Sequence, residues 1–186
     1  TIRYRDFVAF QQAQLAEKGT TLADWWAKEL EAAEPLRKLP MAANRTPEKT
    51  YVGDRIRFSI DASTSQQLKA YCRQRSCSPF MLTTALVQAL LHKYTGQEDI
   101  TVGAPATGRQ RADLEEVVGL FVNTLPLRSR VLGASSFFEL LSSVRRTVAD
   151  AFDHADLSFQ QIVAAAQLPR DTGRTPLFDV LVVADQ

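Results

Sequence analysis

The stretch between Ser78 and Gly96 constrains this chain more than any other. Ser78 followed by Pro79 reads as an N-cap and a first-turn proline, the residues after them are apolar almost all round a helix to Tyr94, and Gly96 supplies a stop. A helix without a polar face is a buried helix, so other structure must cover it. Residues 56–60 alternate Ile56, Phe58 and Ile60 with Arg57 and Ser59, which predicts a half-buried strand. Residues 100–105 read as a buried strand and 120–130 as a second, in which Pro126 argues for an edge, a bulge or a strand end. Residues 178–184 close the chain as a further strand. Strands separated by helices predict an α/β sandwich with a mixed or parallel sheet, since parallel neighbours need a crossover that a helix usually supplies.

The remaining helices follow from spacing and caps. Tyr4, Phe7, Val8, Gln11 and Leu15 share one helical face, and that helix is expected to end near Gly19. A second is expected to start at Thr20 or Thr21, carry Leu22, Trp25, Trp26 and Leu30 on its apolar side, and stop at Pro35. The pattern then lapses over residues 35–51, an expected exposed connector of about 15 residues, longer than most loops within one compact unit. Ser63 with Gln66, or Thr64 with Gln67, makes a capping box for the next helix. Ser136 with Glu139 opens the longest one, whose face is Phe137, Leu141, Val144, Val148 and Phe152. Ser158 with Gln161 caps a shorter helix carrying Ile162, Val163 and Ala166.

Composition excludes several function classes. Lys plus Arg total 22 against 21 Asp plus Glu, and the basic residues are scattered, so no stripe follows a phosphate backbone. Residues 80–91 form the longest apolar segment, which Thr83, Thr84 and Gln88 interrupt and which is too short to cross a bilayer. No secretory signal opens the chain, and the first residue is Thr1, so a longer parent or a processed product and a cytoplasmic location are expected. Cys72 and Cys77 read as free structural thiols. His92, inside the apolar helix, reads as a partly buried histidine satisfied by hydrogen bonds, and His154 as a structural imidazole at a helix C-terminus. No glycine-rich phosphate loop, paired metal ligands or catalytic triad is legible. From the residues alone, the reading ends at an α/β domain.

Four ordered blocks carry it further: Tyr4, Arg5, Asp6 and Phe7; Val118, Gly119, Leu120, Phe121, Val122, Asn123 and Thr124; residues 154–159; and Arg170, Asp171, Arg174, Pro176 and Leu177. Residues 94–100 and 103–109 add to them, and FVNTLPLR at 121–128 is the most specific. Together they resemble the condensation domains of nonribosomal peptide synthetases, over nearly the whole chain. Ala155 stands where the family commonly has glutamine, and Gly173 and Thr175 replace a serine and an asparagine. The family's HHxxxDG block, with its catalytic histidine, does not occur in these residues, so no catalytic residue is expected in this chain.

The resemblance implies a fold similar to chloramphenicol acetyltransferase, two α/β subdomains facing across a tunnel. Residues 1–50 would be the end of the first subdomain and the connector, and 51–186 most of the second, truncated at its C-terminus, with unusual exposed apolar surface. The implied reaction is attack of an acceptor amine on a donor thioester to form an amide, both held by phosphopantetheine on upstream and downstream peptidyl carrier domains. The chain itself would bind no cofactor and no metal, and would be inactive alone. The remainder of the condensation domain and an adenylation domain are the other implied partners. Arg109 is carried over as the arginine that pairs with the aspartate of HHxxxDG, an orphan here. Thr107, Asn123, Thr124, Arg170 and Arg174 are expected to support the tunnel or the subdomain boundary. A non-catalytic carrier-docking module, or a heterocyclisation or epimerisation relative, remains the alternative.

Overall fold

A computed structural model describes residues 2–36, 53–109, 111–169 and 175–184. Along the chain run α1 (Tyr4–Glu29), α2 (Ala62–Gln74), α3 (Pro79–Thr95), β1 (Asp99–Ala106), a 3-10 turn (Ala112–Leu114), β2 (Asn123–Arg130), α4 (Phe137–Asp153) and α5 (Phe159–Ala166). The α/β expectation holds, built around a small sheet. β1 and β2 pair antiparallel, and Gly103 also makes a parallel bridge with Leu181 on the other edge of β1. The β1–β2 ladder is therefore antiparallel, and this bridge adds a single parallel contact at its edge.

Pro126 sits inside β2 opposite Gly103. Gly103 commits its own N–H and C=O to Val180 O and Val182 N, both at 2.8 Å. The Gly103 and Pro126 pair is thus a non-hydrogen-bonded one, and the donor that proline lacks would have pointed to the outer edge of β2, as an edge position requires. One face of the ladder, formed by Ile100, Val102, Ala104, Leu125 and Leu127, is wholly buried. α3 packs on β1 and α4 on β2, and Gln88 of α3 donates to Ile100 O at 3.3 Å and Leu127 O at 3.1 Å.

Ser78, Ser136 and Ser158 cap their helices as read, with capping boxes at the last two, and Gly96 ends α3 in the left-handed region at φ 67°. Other expectations are corrected. α1 is one 26-residue helix that runs through Gly19, Thr20 and Thr21 and ends at Glu29. An interior glycine costs only about 1 kcal/mol, and the buried Trp26 together with packing on α5 exceeds that. α2 is capped by Asp61 instead of Ser63 or Thr64. Its carboxylate accepts from Thr64 N, Ser63 Oγ and Thr64 Oγ1 at 2.6–2.8 Å, and these donors hold it far below the usual carboxylate range.

The alternating residues 56–60 form no strand. Ile56 and Phe58 are 88% and 84% exposed, because a strand pattern becomes a strand only beside a partner, and the described residues offer none. The apolar helix is covered on one side only: Leu82, Ala85, Gln88 and Leu91 of α3 are buried, whereas Leu86, Leu90 and Tyr94 form an exposed stripe. Residues 120–122 stay outside the ladder, and 178–184 contribute a single bridge. Most of the expected connector at 35–51 lies outside the described residues, although Leu36 is buried and Pro35 O accepts from Gln97 Nε2 at 3.3 Å. Among the described residues no helix is long and apolar enough to cross a membrane.

Candidate functional site

Asn123 opens β2, and its amide joins that strand to the turn between α4 and α5. Nδ2 donates to Ala155 O and Leu157 O, both at 2.8 Å. Oδ1 accepts from Thr124 N at 2.9 Å and from Phe159 N at 3.0 Å. A side-chain amide offers two donors and an acceptor with two lone pairs, so Asn123 uses its whole capacity here. Phe159 N belongs to the first turn of α5, where amides have no intrahelical partner.

A second cluster forms around Phe121, which turns inward just before β2. The Phe7 and Tyr4 rings lie 4.6 and 5.3 Å from it, and Tyr4 Oη donates to Leu120 O at 2.8 Å. Arg109 covers it from another direction, its guanidinium 4.1 Å from the ring centroid while Nη1 donates to Leu114 O and Glu115 O. Arg109 is therefore partnered, and the expectation of an orphan is corrected: backbone carbonyls of the 3-10 turn and an aromatic face satisfy it. Gly108 makes the close approach possible, since it adopts φ 64° and a Cβ there would overlap the Phe121 carbonyl oxygen.

Between these clusters lies a cleft of about 370 Å³. Phe7, Phe10, Gln11 and Gln14 of α1 form one wall, Thr107, Arg111 and Leu114 another, and Phe121, Asn123, Asp156 and Ser158 close it. Of the residues expected to support a site, Thr107 and Asn123 line this cleft, and Arg109 backs it through Phe121. Thr124 pairs with Pro105 one step further along the ladder. Arg170 and Arg174 lie outside the described residues.

The cleft combines aromatic surface with amides and a hydroxyl. Ser158 Oγ donates to Gln161 Oε1 at 2.7 Å and, as the cap, accepts from Gln161 N at 3.4 Å. His154 ends α4, its Nδ1 2.7 Å from Asp150 O, its ring stacked 3.8 Å from Trp25, and its carbonyl accepting from Trp26 Nε1 at 3.0 Å. The structural reading of His154 holds, as does that of His92, whose Nδ1 lies 2.8 Å from Gln97 O. Among the described residues no group of three or more His, Cys, Asp or Glu could hold a metal ion.

Arg128, by sequence only one more residue of the FVNTLPLR block, anchors the far end of α1. Its Nε and Nη2 meet the two Asp99 oxygens at 2.9 Å each, and Nη1 donates to Glu29 O at 2.8 Å and Glu31 O at 2.9 Å. Glu29 is perturbed by the proximity, in that burial pushes its carboxyl above the ordinary range, Arg128 pulls it back and Asp150 adds to the rise. The signal for this anchor in the sequence is a charge at a strand position flanked by buried residues, 29 positions from an acidic strand start.

The family profile described as Condensation domain matches residues 1–186. A plipastatin synthase protein of Bacillus subtilis (strain 168) is 37% identical over 183 residues, covering 98% of this chain and 7% of that protein. Bacitracin synthase 3 of Bacillus licheniformis is 35% identical over 184 residues, covering 98% of this chain and 3% of that protein. The chain thus spans a small fraction of the length of these relatives. The X-domain from teicoplanin biosynthesis superposes with a TM-score of 0.86 at 21% identity, over 97% of this chain and 41% of that one, which shows a common fold. Phe7, Phe121 and Ser158, from three distant stretches of the sequence and joined around one cleft, thus sit in a chain that belongs to the condensation domain family.

Proposed function

We propose that this chain is part of a condensation domain that forms an amide between carrier-tethered acyl or aminoacyl thioesters. The observation that carries the reading is convergence: three of the four resemblance blocks, at residues 4–7, 118–124 and 154–159, meet around one cleft through Tyr4, Phe121 and Asn123. In this reading residues 1–50 belong to the end of one subdomain and its connector, and 51–186 to most of the next. The cleft is a tunnel wall, its Phe7 and Phe10 rings and Gln11 and Gln14 amides suited to an amide-bearing pantetheine arm. Asn123, Arg109 and Thr107 position the wall, and proton handling falls to the histidine block outside these residues. Carrier domains, the rest of the condensation domain and an adenylation domain are its partners.

The test uses a parent protein with its HHxxxDG block, two carrier domains loaded as pantetheine thioesters, and mass spectrometry of the amide product. Amide should form with the parent and not with this chain alone, and Asn123→Ala and Arg109→Ala should each slow it. Loaded carriers bound by a parent with an intact histidine block, yet never joined, would overturn the reading in favour of a docking module.

A further inference from the structure

The end of α2 places two thiols side by side by a backbone device. Ser76 adopts φ 49°, Ser76 N donates to Arg73 O at 3.2 Å, and Cys77 N donates to Cys72 O at 3.0 Å. These are the two crossed hydrogen bonds of a Schellman motif, in which the third-last helical residue and the second residue beyond the cap bring their side chains into contact. In most proteins apolar residues fill those positions. Here they are Cys72, buried, and Cys77, half-buried and open to small reagents. Burial, then the neighbouring Cys77 charge and hydrogen bond, pushes the Cys72 thiol up, as two thiols in contact require.

We propose that Cys72 and Cys77 are an oxidisable pair that closes an intrachain disulfide across the turn from α2 to α3. The geometry suits the bond, because the 6→1 hydrogen bond holds the two backbones within the short span a disulfide tolerates. With a peroxide as oxidant, the Cys77 thiolate attacks one peroxide oxygen and breaks the O–O bond, giving hydroxide, which becomes water, and a Cys77 sulfenic acid. The Cys72 sulfur, losing its proton, then attacks the Cys77 sulfur, forming S–S and expelling the hydroxyl as a second water. Two thiols are oxidised and one peroxide is reduced. The product fixes the end of α2 to the start of α3, and neither cysteine lines the cleft.

The folded protein is treated with hydrogen peroxide, quenched, alkylated and digested with trypsin. Cleavage after Arg73 and Arg75 separates the cysteines, so a disulfide appears as two joined peptides, with an intact mass lower by two hydrogens. Closure should be at least about tenfold faster in the folded protein than in urea, because the motif holds the reacting atoms together. Ser76→Val, which places a β-branched residue at positive φ, should slow closure severalfold, and Ser76→Gly should not. In Cys77→Ser, Cys72 should stay reduced. Equal rates in folded and unfolded protein, overoxidation of Cys77 with Cys72 reduced, or oxidation of Cys72 at the wild-type rate in Cys77→Ser would each overturn the proposal.

Discussion

Replacing Asn123 by alanine removes four hydrogen bonds, of which the one to Thr124 N is local and three cross to residues 155–159. A typical intramolecular bond contributes about 1 kcal/mol net, and a buried partner left unsatisfied costs more. The site is only part-buried, so water reaches some of the freed groups, and the expected loss is about 2–3 kcal/mol. For a chain of this size that corresponds to a fall in melting temperature of roughly 4–12 °C. Urea titration followed by tryptophan fluorescence measures it directly, since Trp25 stacks on His154 at the end of α4. Hydrogen exchange should show Phe159 N–H losing protection before the β1–β2 ladder does. Asn123→Asp sharpens the test, because it keeps the acceptor for Phe159 N but sets a carboxylate against the Ala155 and Leu157 carbonyls. It should be at least as damaging at pH 7 and should recover partly once the carboxyl protonates. A loss below about 0.5 kcal/mol for Asn123→Ala, the range of ordinary surface changes, would refute the claim that this amide joins β2 to α5.

Arg128→Ala should cost about 2 kcal/mol in urea titration, since it strands the part-buried Asp99 and frees the Glu29 and Glu31 carbonyls, and Asp99→Asn should cost less. Glu29 has a raised carboxyl, so its favourable contribution is complete below the ordinary carboxylate pKa and is lost as pH rises through the folded value. Glu29→Gln should therefore flatten that decline and leave the protein more stable at pH 7, which thermal melts across pH 4–7 would check. Gly108→Ala and Gly96→Ala both place a side chain at positive φ, but a Cβ at Gly96 meets nothing within 4 Å, while at Gly108 it overlaps Phe121 O. The Gly96 change should cost about 1 kcal/mol and the Gly108 change several times that, read from folding yield and melting temperature.

How much was legible in the sequence depended on whether the cause was local. Caps are satisfied within one turn, so Ser78, Ser136 and Ser158 could be read three residues at a time. The faces of α4 and α5 followed from a period of 3.6, and the resemblance blocks led to Asn123 and Arg109. What failed depended on neighbours. Ile56, Phe58 and Ile60 alternate correctly, yet a strand is a relation between two segments, and no described segment lies beside them. Gly19 suggested a break, but helix ends are decided by packing as well as propensity, and Trp26 held α1 together.

The site divides in the same way. Tyr4, Phe121 and Asn123 could be named from sequence, whereas the Tyr4 hydroxyl on Leu120 O spans 116 positions and the Asn123 bonds span 32 to 36. Arg109 was expected to be left without a partner in this chain, and the tertiary structure gives it carbonyls and a ring. By itself the sequence determined the serine caps of α3, α4 and α5, the strands at 100–105 and 123–130 and the family, because those rest on short-range hydrogen bonding, apolar periodicity and residue identity. Only the tertiary structure decided which side chains meet across the cleft, because a hydrogen bond of about 3 Å between distant residues is a property of packing and has no local trace in the chain.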